Sequence, residues 1–379
     1  MYKNNYTYLK KMKIFFQYFS LNNGNRYKLY KLCLLLIFLF FSKNKKLKIG
    51  VIGLPHNDNI GNNLIKYSIS IKLSELGFIP YIIGLFYEQY HYDISFIKNF
   101  TNLIIINTFS EIKKNDFDIL MVNSDQVWRK KYLDIFYDFA FLYFARNWNI
   151  YKFIYGASLG TSEWKFNQTD EKVAKICLKS FQGISVREIG AVDRIKKHLG
   201  FKPIFVLDPT FLIDIKYYIN LANSYISNNF TNRDYIFTYL FTEEKEIVRF
   251  IEDSAIKLNY KLFKVKQYHK NSVKKFLYGI YNCRAVITNS YHGTVFSIIF
   301  RKPFVTFIYK YGNNDRFDSL KRIFNIGNRI FEYNKIPNFN LLTLPLDIDQ
   351  NLFDLLKTKS IAYLKNNLKH FKRMKHIYF

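Results

Sequence analysis

The feature that most constrains this chain is an alternation that runs through it twice. Short apolar, β-branched runs are followed by turn residues and then by segments with helical spacing. In the first series, 48–53 reads as a buried strand, 54–61 as a loop rich in Pro, Gly, Asn and Asp, 62–76 as a helix stopped by Gly77, and 79–85 as the next strand. Strands follow at 102–108, 118–122, 153–157, 184–186 and 205–207, with helices at 168–178 and 189–199. The polar, Asn-rich stretch 213–234 reads as a linker with an irregular helix. The second series has strands at 235–241, 261–265, 285–288 and 304–308, separated by helices at 243–258, 272–281 and 294–300. A last helix, 351–371, is expected to pack back across both halves. The fold class is therefore α/β: two Rossmann-like lobes, 47–212 and 235–335, with a cleft between them, an N-terminal appendage 1–46 and a C-terminal tail 336–379.

Charge adds a second constraint. The chain of 379 residues carries a formal net charge of +28, with no Asp or Glu before Asp58 and a second basic stretch over 357–375. The abundance of Ile, Lys, Asn, Tyr and Phe looks like codon bias, which discounts part of that charge; what is left favours acidic surfaces such as anionic lipid or phosphorylated ligands. No nucleic-acid recognition motif accompanies it, so nucleic acid is not the expected partner. Three cysteines, Cys33, Cys177 and Cys283, stand far apart, which suggests neither a disulfide framework nor a zinc site and fits a reducing compartment. The apolar run 32–41 is too short to span a bilayer, which takes ~20 residues. It reads as a buried strand or helix of the appendage, with an anchor lying on a membrane surface as the alternative.

Candidate chemistry collects at strand ends, where ligands bind in open α/β sheets. His292 falls at a strand–turn–helix junction: 284–288 is β-branched, 289–293 is Asn-Ser-Tyr-His-Gly, and an apolar helix-compatible run follows. An imidazole there can hold an anion or move a proton beside helix amides, or it can simply cap the helix. Asp125 follows the strand 118–122, either as a cleft carboxylate or, like Ser124, as a helix cap. Arg187 ends another strand; its planar fork suits phosphate or carboxylate, or it pairs with Glu188. Asn59, Gly61 and Asn62 form a loop that lets backbone approach a donor or acceptor. Asp208-Pro209 reads as a turn former, Lys302 and Arg316 as anion contacts or, more readily, ordinary solvated charges, and Trp128 and Trp164 as sugar-stacking rings or core. No metal-ligand spacing appears, and no metal is expected.

Six segments in order then resemble one family: 59–64 (Asn-Ile-Gly-Asn-Asn-Leu), 122–128 (Val-Asn-Ser-Asp-Gln-Val-Trp), 155–160 (Tyr-Gly-Ala-Ser-Leu-Gly), 184–188 (Ile-Ser-Val-Arg-Glu), 206–210 (Val-Leu-Asp-Pro-Thr) and 289–294 (Asn-Ser-Tyr-His-Gly-Thr). Together they resemble the polysaccharide pyruvyl transferases, over about 48–330. The resemblance implies a GT-B-like two-lobed fold. It implies a phosphoenolpyruvate donor with no cofactor, a lipid-linked or polymeric sugar acceptor, and a cyclic pyruvate ketal as product. It gives Asp125 and His292 the acid–base roles, and makes Arg187, Ser290, His292 and Gly293 donor contacts. The chain departs at Ser290 from those members that carry an arginine there and use it on the donor, though a Ser-aromatic-His-Gly form resembles one branch of the family, and it departs at Gly190, where serine is common. The expected place is cytoplasmic, at the inner face of a membrane. The alternatives are a nucleotide-sugar glycosyltransferase on the same two lobes and a non-enzymatic basic protein that binds membrane or nucleic acid.

Overall fold

In a computed structural model, residues 46–54, 59–85, 95–133, 137–225, 233–266, 272–308 and 314–377 are described. The appendage, except its last residue, lies outside these, with the apolar run 32–41 and Cys33. The first series builds β1 (Lys48–Ile52), α1 (Ile60–Glu75), β2 (Ile79–Leu85), α2 (Ser95–Phe100), β3 (Asn102–Ile106), β4 (Ile119–Val122), α3 (Lys130–Leu133), α4 (Tyr137–Phe141), β5 (Tyr151–Ile154), α5 (Gln168–Leu178), β6 (Ser185–Val186), α6 (Ile189–Leu199) and β7 (Ile204–Phe205). β1 to β5 form one parallel sheet in the order β3-β2-β1-β4-β5. The paired β6 and β7 adjoin its β5 edge through bridges from Phe153 to Gly183 and from Ala157 to Val186. β4 is Ile-Leu-Met-Val, buried throughout, as a strand covered on both faces requires.

The second series builds α7 (Ile215–Asn223), β8 (Tyr235–Tyr239), α8 (Lys245–Leu258), β9 (Lys261–Val265), α9 (Ser272–Asn282), β10 (Ala285–Thr288), α10 (Tyr291–Ile299), β11 (Phe304–Ile308), α11 (Asp315–Phe324), β12 (Ile330–Glu332) and α12 (Gln350–Ile377). Its strands form a second parallel sheet, ordered β12-β11-β10-β8-β9. The two-lobed α/β class expected from the alternation is thus present.

Differences from the expected elements have local causes. β5 ends at Ile154 rather than reaching 157, because Gly156 takes φ +62° and turns the chain so that its N–H meets the Ser185 hydroxyl. The stretch 213–234 holds a regular helix, α7, started by Asp214, whose carboxylate accepts from the Lys216 N–H at 2.9 Å. α11 and β12 were not expected. α12 is longer than 351–371 and presents Ser360, Tyr363, Leu364 and Asn367 as one buried stripe at helical spacing. This stripe meets the first lobe: the Tyr363 hydroxyl donates to the Ile154 carbonyl (2.7 Å), and the Leu207 N–H donates to Ser360 Oγ (2.9 Å).

Residues 48–379 form one compact unit. Its lobes are tied by an Arg194–Asp315 ion pair and by the Ile189 N–H donating to Ser319 Oγ at 3.0 Å. Strand order reverses between β1 and β4 in the first sheet and between β8 and β10 in the second. A parallel sheet leaves a crevice beyond the strand ends at such a point. The loops after β1, β4, β8 and β10 all reach one cavity of about 340 Å³.

Candidate active site

Asp125 stands at the first of these crevices. Its φ is +114°, a conformation that few residues with a Cβ adopt, and no helix starts there, so the capping reading fails. The strained backbone is fixed from both sides: the Asp125 carbonyl accepts from Val127 N–H (2.7 Å) and Ser158 N–H (3.0 Å). The carboxylate is thereby turned to the cavity, where Oδ1 accepts from Gln126 N–H (2.8 Å) and Arg187 Nη2 (3.0 Å).

Arg187 is completely buried and does not pair with Glu188. Its other arm, Nη1, binds Asp208, and Asp208 Oδ1 accepts from Thr210 N–H (3.0 Å) and Oγ1 (2.7 Å). Burial works against the guanidinium charge, but the Asp208 and Asp125 carboxylates outweigh it and hold the Arg187 pKa above its usual value. Burial likewise opposes the Asp208 charge, yet Arg187, His292 and Thr210 keep its carboxyl below the usual range. Asp208 does form a turn, as its sequence context suggests, but it is also half of a buried ion pair. Removing one member of such a pair strands a charge, so this network fixes geometry. Arg187 lies beneath the cavity and is absent from its lining. Both arms are held by carboxylates, so the donor contact expected of it would require one of them to give way.

The second lobe brings α10 to the same point. The helix starts at Tyr291, three residues before the sequence suggested, because Ser290 caps it and accepts from Gly293 N–H at 3.3 Å. His292 therefore sits in the first helical turn. Two glycines allow this fit. A Cβ on Gly293 would come 2.4 Å from Thr288 Oγ1, and one on Gly61 would come 1.9 Å from His292 Nδ1. Gly61 and Asn62 are not in a loop but in the first turn of α1, where Asn59 caps and accepts from Asn62 N–H at 3.0 Å. Of the three, Asn59 lines the cavity; Gly61 serves as the surface on which the imidazole rests, and Asn62 is buried.

His292 Nε2 lies 3.9 Å from Asp208 Oδ2 and has no hydrogen-bond partner. Burial, aided by Arg187, lowers its pKa to about 4 against the pull of Asp208 and Asp125, so the ring is neutral near pH 7. Two buried groups beside the site were not singled out from the sequence. Burial lowers the Lys66 pKa to about 7, with Asp125 opposing the shift, and raises the Glu188 pKa to about 7. Ser158 donates to one Glu188 oxygen, and the other has no hydrogen-bond partner. Of the two readings for Arg316, anion contact or solvated charge, the structure favours a place at the site: it lines the cavity from α11, its guanidinium 4.9 Å from the Tyr291 ring centroid. A helix there was not foreseen, so nothing in the sequence aimed Arg316 inward.

The other candidates lie elsewhere. Trp128 is core, donating to the Ala140 carbonyl at 2.9 Å, and does not offer a face to sugar. Trp164 stacks on His198, with centroids 4.4 Å apart. Lys302 donates to the Cys283 carbonyl at 3.0 Å. Gly190 faces the Arg194–Asp315 pair between the lobes, and a Cβ there would meet both at 3.0 Å. Among the described residues no cluster of three or more His, Cys, Asp or Glu could hold a metal, and no helix is long and apolar enough to cross a membrane.

Comparison with solved structures agrees with the two-lobed architecture. The chain is similar to MnaA of S. aureus, solved with UDP: 13% identity, 87% of this chain and 97% of that one covered, TM-score 0.52. It is also similar to the UDP-GlcNAc 2-epimerase of Neisseria meningitidis bound to UDP-GlcNAc (9%, 86% and 93%, TM-score 0.49) and to a glycosyltransferase of Rickettsia africae ESF-5 (13%, 87% and 98%, TM-score 0.46). At 13% identity the likeness to MnaA concerns fold alone, and it is the GT-B-like fold. No curated protein matches the chain. The model of one family, polysaccharide pyruvyl transferase, matches residues 2–311; the chain belongs to that family and is a transferase.

Proposed function

We propose that this transferase moves pyruvate from phosphoenolpyruvate onto two hydroxyls of a sugar in a cell-surface polysaccharide precursor. The observation that carries the reading is the meeting of Asp125 and His292, from opposite lobes, on one small cavity that a cation also faces. Ketal formation needs a proton delivered to the donor's methylene carbon, a base for the attacking hydroxyl, and a cation for the leaving phosphate. One hydroxyl adds to the donor's C2 while C3 gains a proton and becomes a methyl group. The second hydroxyl adds to C2 as phosphate departs. The two hydroxyl protons balance the one gained at C3 and the one carried away by phosphate.

Asp125, held by Arg187, is the base for the incoming hydroxyl. His292 is neutral in the empty site, and an anion bound beside it favours its protonated form. It can therefore gain a proton with the donor and pass it on. The basic segments 1–46 and 357–375 suit an anionic membrane face, where a lipid-linked acceptor is presented. The test is incubation of the purified full chain with phosphoenolpyruvate and a lipid-linked glycan extract. Phosphate release together with pyruvylated glycan by mass spectrometry is expected. Transfer of a sugar from UDP-GlcNAc, with phosphoenolpyruvate inert, would replace this reading with a nucleotide-sugar glycosyltransferase.

A further inference from the structure

We infer that Arg316, and not Arg187, holds the anionic group of the donor, gripping it against the N-terminus of α10. This rests on the reading of the donor as phosphoenolpyruvate.

Two arginines flank Tyr291 at the cavity, Arg187 and Arg316. Both guanidiniums lie over the Tyr291 ring, at 5.1 Å for Arg187 and 4.9 Å for Arg316. They differ in what neutralises them. Arg187 has a carboxylate on each arm and no exposed side-chain surface. Arg316 makes no ion pair or hydrogen bond with any described residue, and its side chain lines the cavity; the Nε of both arginines is buried without a hydrogen-bond partner. Burial disfavours its charge, Arg187 disfavours it further, and the pKa is pushed below the ordinary arginine value although Asp125 and Glu188 pull the other way. A cation kept partly desolvated, near a like charge and without a carboxylate of its own, is unfavourable in the empty protein. An entering anion supplies the missing partner.

Neighbouring groups define where that anion goes. Ser290 contributes no charge, since its hydroxyl caps α10. The helix N-terminus it caps favours negative charge. His292 Nε2, buried and without a hydrogen-bond partner, is at the same cavity wall. Arg129 is a second cation in the lining, but its Nη1 donates to Gln126 Oε1 at 3.0 Å. A planar guanidinium fixed over an aromatic ring presents a ready fork to phosphate or carboxylate. The site thus takes a small molecule bearing one such group at Arg316, with its reacting carbon toward Asp125.

Calorimetric titration of the full chain with phosphoenolpyruvate tests this, comparing wild type, Arg316→Gln and Arg316→Lys. Arg316→Gln should weaken binding on the order of 10- to 100-fold, and Arg316→Lys should fall between. Competition by inorganic phosphate or by pyruvate identifies which group sits at Arg316, and loss of that competition in Arg316→Gln supports the assignment. Melting of the ligand-free chain separates this role from a structural one. Arg316→Gln should melt at or above wild type, because an unpaired charge has gone. Equal phosphoenolpyruvate affinity in wild type and Arg316→Gln overturns the Arg316 assignment alone. A wild-type chain indifferent to phosphoenolpyruvate and phosphate but bound by UDP-GlcNAc overturns the donor reading, and this inference with it.

Discussion

The two sides of the cleft are built on opposite electrostatic plans. On the first lobe's side, Asp125, Arg187 and Asp208 neutralise one another in a buried chain of ion pairs. On the second lobe's side, Arg316 has no carboxylate partner among the described residues, and His292 Nε2 no hydrogen bond. A closed network resists change and holds its members in place, whereas an open one gains most from a ligand. An arginine stands on each side of the same cavity, and carboxylates hold both arms of one and neither arm of the other.

The largest effect that could break this comparison is on rate. Asp125→Asn keeps a residue that tolerates positive φ while removing the base, and transfer should fall about 10²–10⁴-fold; the melting temperature should fall only modestly, because Arg187 keeps Asp208 as its partner. A variant with near-wild-type phosphate release would place the base elsewhere. Next in size is a stability effect. Arg187→Leu leaves the buried Asp208 and the partly exposed Asp125 without their cation, and chemical denaturation should show a loss of about 3–5 kcal/mol. A loss matching that of an ordinary surface change would mean the floor is not the closed network described.

Gly61→Ala sharpens the comparison from the seam between the lobes. A methyl group there meets the imidazole ring itself, so His292 must move. Transfer should drop on the order of 10²-fold, as for a misplaced catalytic group, while the fold persists. Full activity would show that the ring position is not critical.

The smallest expected effect is in pH dependence. Glu188 has its pKa raised from 4.5 to about 7, so between these values the folded chain holds a proton that the unfolded chain has released, and stability falls as pH rises through that window. His292 has its pKa lowered from 6.5 to about 4, so its contribution falls as pH drops from 6.5 toward 4. The two trends oppose each other and flatten the wild-type curve. Glu188→Gln removes the first, leaving stability that rises with pH from 4 to 6.5 and a gain of about 1–3 kcal/mol at pH 8. Unchanged melting from pH 5 to 8 in the variant would contradict the assignment.

What the sequence made legible follows from range. Strands such as Lys261–Val265 and Ala285–Thr288 and helices such as Gln168–Leu178 are local patterns, and they lie where periodicity put them. Asp125 and His292 were legible because each follows a strand end in a parallel sheet. The balance of charges was not legible, because it depends on residues far apart in the chain. Asp208 looked like a turn former, and it is; its second role requires Arg187, twenty-one positions away. Arg316 follows a polar segment that gave no sign of a helix, so its direction toward Tyr291 was invisible. Trp128 shows the converse: nothing local distinguishes a ring buried against Phe141 from one offered to sugar.

The most direct measurement is a crystal structure of the full chain soaked with phosphoenolpyruvate. The account predicts the donor in the interlobe cavity, one anionic group within hydrogen-bond distance of Arg316 and the first amides of α10, with Arg187 still joined to Asp125 and Asp208. A donor bound to Arg187 in place of either carboxylate, or lodged outside the cavity, would contradict it.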